Sequence, residues 1–439
     1  MHKLKNLVLF LTIVGMVIFM PFPALADDAS VVDTGDTTLI IICGALVFFM
    51  TPALGLFYAG MVSKKNALNT IMSSLVLIGI ITVEWVAFGY SAAFGEDFFG
   101  IIGKPEFIGL AGVGTTPNAD YAPTIPHILF AVFNMMFAII TPAIASGAIV
   151  ERARFGPYVI FVLLWGILVY NPMCHMVWGV GGFLRGLGAL DFAGGTVVHI
   201  TSGISSLVAC LVLGRRKNYG IRPTIPHNLP TALLGGAIIW LGWYGFNTGC
   251  ALASGELAGL VFSNTAIASG ASLLSWIIIE WLHRGKPTLL GSITGAICGL
   301  VAITPAVGFV PPISAVLIGL LVGPVCYFAI VYVKKKLGYD DSLDPFGCHG
   351  VGGMFGAIMT GLLATTAVNS AGGNGLFYGN PKQVLIQLFA IVFTIVWAGL
   401  ATFLILKVIS LFTKLRVSEQ EEDEGLDLAM HGEEAYSEL

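Results

Sequence analysis

Eleven apolar stretches of about 20 residues, the length an α-helix needs to cross a bilayer, follow one another from Thr38 onward. Their expected limits are 38 to 61, 66 to 93, 125 to 150, 157 to 178, 195 to 213, 229 to 252, 260 to 282, 288 to 306, 310 to 333, 346 to 366 and 383 to 411. In lipid every backbone N–H and C=O must find its partner within the protein, so segments of this kind fold as helices. Composition agrees: 56% of the 439 residues are hydrophobic and 10% are charged, against about a quarter charged in soluble chains. The expected fold is an all-α polytopic membrane protein.

Loop charge tests the count, because short cytoplasmic loops are enriched in Lys and Arg. With the mature amino end outside, the inner loops hold Lys64 and Lys65, Arg152 and Arg154, Arg215, Arg216, Lys217 and Arg222, Arg284 and Lys286, then Lys334 to Lys336. Lys414 and Arg416 open a carboxyl tail that is also inside, and the outer loops hold only Lys104, Arg185 and Lys382. An error of one span would scramble this alternation. The first residues read as a cleaved signal peptide: Lys3 and Lys5 precede an apolar run that ends in Ala24-Leu25-Ala26. The expected organisation is therefore a signal peptide over 1–26, a membrane domain over 27–411 and a cytoplasmic tail over 412–439, in a cytoplasmic (inner) membrane.

Several function classes fall away. The net charge is −4 with most of the acid in the tail, so no basic face exists for nucleic acid. The seven cysteines lie singly in apolar stretches with no CxxC pair, which points to neither zinc nor a disulfide scaffold. No zinc HExxH motif, serine nucleophile elbow or phosphate loop occurs, so an enzyme is not expected, and neither is a cofactor.

Polar groups inside spans cost roughly 3 kcal/mol each at the helix centre and need a partner or a purpose. His199 in GGTVVHITSG and His349 in PFGCHGVGGMFG stand near the starts of spans five and ten, with Asp191 eight residues before the first and Asp344 five before the second. A repeat of five spans returns in the opposite orientation, the inverted plan that places transport sites between the halves. Each histidine has a bland reading, a hydrogen bond to a neighbouring helix, and bis-histidine haem ligation is a further alternative. Neutral imidazoles that share a hydrogen bond leave outer positions for a small polar solute. Asp191 and Asp344 fit helix caps, and Asp191 also fits support for an arriving cation. Glu84 fits pairing with a neighbouring helix, and Phe133, Phe137, Trp178, Trp243 and Phe246 taken singly fit packing or an interface belt.

The strings GLFYAGMVSKKN, GALDFAGGTVVHITSG, LGWYGFNTG, GLVAITPA, DPFGCHGVGG and EGLDLAMHGEEAY, in that order through nearly the whole mature chain, resemble the ammonium transporter family (Amt, Mep and Rh). The resemblance implies a homotrimer of eleven-span protomers, each with a pore between inverted five-helix repeats. It implies that Phe137 and Phe246 stack as a gate below the outer vestibule. Trp178 flanks an outer site that recruits the cation, and Asp191 supports that site from behind. His199 and His349 line the narrow pore below, and Thr304 lines its lower part. The family motif usually ends FNAGS and here reads FNTGC, so Cys250 replaces a hydroxyl with a thiol, a weaker hydrogen-bonding partner. The tail, acidic from Glu419 to Glu424, reads by default as solvated, and by the resemblance as a cytoplasmic element that serves a PII-type signal protein.

An ammonium-sized ion entering a low-dielectric passage meets an idealised cost on the order of 20 kcal/mol, and burial disfavours its charged form. The implied function is thus an ammonium transporter that recruits NH4+, takes its proton at the gate and passes NH3 along the histidines, with the proton relayed or returned. Rival readings are an ammonium sensor on the same scaffold, and a sodium-coupled transporter or other cation channel with Glu84 in its path.

Overall fold

The computed structural model describes residues 31–221 and 225–436; the expected signal peptide and Arg222 lie outside the described residues. Among those residues the chain forms eleven apolar helices. They are α1 Thr34–Met61, α2 Lys64–Phe94, α3 His127–Ser146, α4 Phe155–Gly186, α5 Gly195–Leu213, α6 Leu229–Ala251, α7 Glu256–Arg284, α8 Leu289–Ile303, α9 Pro312–Leu337, α10 Phe346–Leu363 and α11 Lys382–Phe412. All but α8 are long and apolar enough to cross a membrane. At 1.5 Å per residue α8 spans only about 22 Å, and turns over 304–310 carry the chain on from it. A two-residue hairpin, β1 Asp97–Phe98 with β2 Ile102–Gly103, lies in the loop after α2. The fold is all-α and polytopic, as expected. Three spans end three or four residues short of their expected limits, at Ser146, Ile303 and Leu363, because the apolar runs continue past the helix ends, the first into a turn that holds Glu151 at φ 68°.

Apolar side chains stand outward along the bundle, among them Leu282, Leu385, Val392, Val396, Leu400 and Phe412, each more than half exposed. Such a coat suits a lipid solvent, and the chain is a multi-pass membrane protein.

Two reciprocal pairings organise the interior: α1 packs on α6, and α5 crosses α10. These are the first and last helices of the two five-helix halves. The α5–α10 crossing is close because glycine stands four residues after each histidine. A Cβ on Gly203 would lie 2.2 Å from the Gly350 backbone nitrogen, and one on Gly353 would lie 3.0 Å from the Gly195 carbonyl oxygen. Small residues allow helix backbones to meet in this way. Helix α11 packs outside this pair against α4, α5 and α10.

The tail packs against the loops that carry the positive charges. Arg154 N donates to the Leu415 carbonyl at 2.9 Å and Val417 N to the Arg152 carbonyl at 3.1 Å. Ser418 and Glu421 then form a reciprocal capping box that starts a short helix, Glu419–Glu424. Arg154 pairs with Glu421 at 2.8 Å, Lys217 with Asp423 at 2.6 Å and Arg416 with Glu422 at 2.7 Å. Beyond it the buried Asp427 carboxylate accepts from Leu68 N at 3.1 Å and Asn69 N at 2.8 Å, at the start of α2. Tail acids that read as solvated by composition are therefore mostly partnered. Beside them Arg216 joins Asp340 at 2.8 Å and Glu151 at 2.6 Å. Burial raises the Asp340 carboxyl, but the bonded Arg216 guanidinium outweighs it and holds Asp340 below its ordinary value.

Candidate functional site

Two cavities lie within the bundle. The outer one, ≈ 240 Å³, is lined by Tyr121, Phe133, Asn134, Trp178, Arg185 and Cys250 among others. The inner one, ≈ 320 Å³, runs from Phe246, Trp243, His199 and His349 past Met50 and Tyr58 to Glu280, Arg284 and Asp344. Between them Phe137 of α3 lies against Phe246 of α6, with ring centroids 4.4 Å apart at 43°. Phe137 also meets the edge of Trp178 at 6.1 Å and 88°. Both phenylalanines are almost fully buried, at 1% exposure. Phe246 borders the inner cavity and Trp178 the outer one, so the ring pair joins the two linings.

Directly below, His199 and His349 face each other with Nδ1 to Nδ1 at 3.3 Å. In a shared hydrogen bond between neutral rings one Nδ1 donates and the other accepts. His199 also stacks on Phe246 at 5.9 Å and 19°, and on Trp243 at 5.2 Å and 29°. Its Nε2 is buried with no protein partner, which a buried polar atom tolerates poorly unless another molecule meets it.

The local chain explains this placement. His199 lies in a π-turn, Gly195–Ile200, and His349 in another, Phe346–Gly350; single π-turns re-aim side chains and are frequent at functional sites. Asp191 caps the first: its Oδ1 accepts from Gly194 N at 2.9 Å and Gly195 N at 2.6 Å, and its Oδ2 from Thr196 N at 2.7 Å and Val197 N at 3.1 Å. The corresponding cap of α10 is not Asp344 but Asp341, whose Oδ2 accepts from Phe346 N at 3.0 Å. Asp341 stands eight residues before His349, as Asp191 stands eight before His199. Asp344, at φ 63°, turns its carboxylate to Lys334 Nζ at 2.6 Å. The uneven spacing of the sequence reading arose from choosing the wrong aspartate, and the two halves match more closely than it allowed.

Other expected residues fall as follows. Trp178 borders the outer cavity and donates its indole N–H to the Asp191 carbonyl at 2.9 Å, so Asp191 fixes both the tryptophan and the start of α5. Asp191 itself borders neither cavity. Cys250 borders the outer cavity, with its thiol donating back to the Phe246 carbonyl at 3.3 Å. Thr304 was expected along the lower pore, and the structure places it elsewhere. It is fully buried and borders neither cavity; its hydroxyl donates to the Leu300 carbonyl at 2.7 Å and accepts from the Trp243 indole at 3.1 Å. It holds a ring that lines the inner cavity rather than lining that cavity itself. Glu84 also borders neither cavity, and accepts from Asn171 Nδ2 on α4 at 2.6 Å.

Sequence reasoning missed Trp243 as a wall of the inner cavity, and its LGWYGFNTG context marks it only as one more aromatic. It also missed Arg185, which lines the outer cavity and donates to the Trp178 carbonyl at 2.6 Å. In the sequence Arg185 stands out only as one of the sparse outer-loop charges.

Comparison with known proteins bears on what this arrangement serves. The family profile described as Ammonium Transporter Family matches residues 38–436. A protein of Bacillus subtilis (strain 168) named ammonium transporter is 53% identical over 402 residues, covering 92% of this chain and 98% of that one. The crystal structure of Candida albicans Mep2 superposes with a TM-score of 0.83 at 35% identity, over 89% of this chain and 88% of that one. A solved structure titled Sensor Amt Protein superposes with a TM-score of 0.83 at 29% identity, over 90% of this chain and 98% of that one. Two facing histidines beneath a phenylalanine pair, on a fold shared with these proteins, leave one assignment: the chain belongs to the ammonium transporter family.

Proposed function

We propose that this protein moves ammonium by recruiting NH4+ in the outer cavity, removing its proton at the Phe137–Phe246 closure and passing NH3 beside His199 and His349. The observation that carries the reading is the juxtaposition of a phenylalanine closure with two facing imidazoles, one of which has a buried unpartnered nitrogen. Trp178 offers an aromatic face to the cation. The Asp191 carboxylate is engaged by four backbone N–H groups, so it supports the cation at a distance and by holding Trp178. Dehydration and burial disfavour the charged form of the solute at the closure. NH3 then exchanges hydrogen bonds with imidazoles that both donate and accept. Potassium has no proton to give up and stays outside.

The protein works as a homotrimer in the cytoplasmic membrane, with residues 1–26 cleaved, the mature amino end outside and the tail inside. The alternation of Lys and Arg along the loops supports that orientation. The packed tail over 412–436 gives a PII-type partner a defined surface rather than a loose chain.

One observation favours a second reading, ammonium sensing on the same scaffold: Cys250, which borders the outer cavity where the family motif has a hydroxyl, spends its weak thiol donor on the Phe246 carbonyl. Purified protein in liposomes separates the two. An imposed ammonium gradient, with current and internal pH recorded together, gives sustained flux for a transporter. Binding with no flux would support the sensor, and a response to sodium or potassium in its place would overturn both.

A further inference from the structure

Two helices that build the pore wall also bring two thiols together. Cys298 on α8 and Cys348 on α10 lie with Sγ to Sγ at 3.7 Å. Cys298 is fully buried behind the wall, whereas Cys348 borders the inner cavity one residue before His349. Met50 and Met61 line the same cavity, so soft sulfur donors face the path from the inner mouth. The transport reading uses none of these sulfurs. We propose that Cys298 and Cys348 form a two-coordinate site for a soft monovalent metal ion, Ag+ or Cu+, whose occupation obstructs the pore.

The ligand class follows from the donors. Thiolate and thioether sulfur select soft ions over Mg2+ or Ca2+. The described residues contain no group of three or more His, Cys, Asp or Glu placed to hold a metal, so tetrahedral zinc is not served. Two facing thiols suit an ion content with two nearly linear ligands. Binding breaks two S–H bonds and forms two S–metal bonds; nothing is oxidised, and both protons leave to water in the cavity. A bridged pair stands farther apart than the present van der Waals contact, and the cavity beside Cys348 gives its sulfur room to move. That movement places the ion and the Cys348 side chain beside His349.

The test uses the full-length protein in chloride-free proteoliposomes titrated with silver nitrate. We expect wild-type ammonium flux to be lost, while Cys298→Ala, which alters a residue outside the cavity, keeps its flux and tolerates about tenfold more Ag+ or better. Equal sensitivity of Cys298→Ala and wild type, with relief in Cys250→Ala instead, would assign the block to the outer cavity and overturn the proposal. Silver-soaked crystals of the wild type read the site without reference to transport or to folding of the variant. Anomalous density between the two sulfurs supports it; density only at other cysteines, or none, overturns it.

Discussion

Asp191 separates a structural from a purely electrostatic account of the outer site. Its two carboxylate oxygens accept four backbone N–H bonds at 2.6 to 3.1 Å, and the residue is 8% exposed. In Asp191→Asn the amide oxygen replaces one acceptor and an NH2 group replaces the other, so two buried N–H groups lose their partner and face a donor. Each buried unsatisfied donor costs about 1–3 kcal/mol, giving a loss of roughly 2–6 kcal/mol before relaxation. Asp191→Ala strands all four and falls further. Thermal denaturation in detergent followed by size exclusion reads stability, and ammonium flux in liposomes reads function. We expect the order wild type, Asn, Ala in both, because a loosened start of α5 also frees Trp178, whose indole bonds to the Asp191 carbonyl. Wild-type stability in Asp191→Asn with flux abolished would refute the capping argument and leave only a field effect on the cation.

Other outcomes follow from the same geometry. Thr304→Val leaves the Trp243 indole without an acceptor, at about 1–3 kcal/mol, and lowers flux while Thr304→Ser retains it; equal flux in both variants would contradict the support role. In the loop before α10, burial and the neighbouring Asp344 push the Asp341 carboxyl up to about 7. A raised folded value means that the stability tied to the bound proton is complete below about pH 4, the unfolded value, and is lost as pH rises through about 7. Asp341→Asn therefore denatures with a weaker dependence on pH over that window, and a parallel dependence would sink the assignment. In the tail, Asp427→Ala removes the acceptor of two backbone N–H groups and exposes the tail to limited proteolysis. Asp423→Ala breaks only the exposed pair with Lys217 and changes little; the reverse ranking would show that charge rather than capping holds the tail.

The sequence made the helices legible because lipid demands long apolar runs, and loop charge confirmed their number. It was silent where backbone geometry decides between similar residues. Asp341 and Asp344 both precede His349, and only the φ of 63° at Asp344 and its reach to Lys334 show that Asp341 is the cap. The histidines were readable as polar residues in lipid, yet their meeting depends on two π-turns that hydrophobic periodicity does not reveal. Thr304 could be named but not aimed, since it caps the end of α8 and only the backbone there turns its hydroxyl to Trp243. Composition also left the tail acids looking solvated, because their basic partners lie on distant loops.

The central claim is that the closure and the twin histidines pass ammonia and reject bare ions. Its most direct test is current in proteoliposomes under ammonium or potassium gradients, for the wild type and for the double variant His199→Asp with His349→Asp. The account predicts that the wild type responds to ammonium and not to potassium, and that two carboxylates below the closure let potassium through. Unchanged rejection of potassium in the double variant would contradict it.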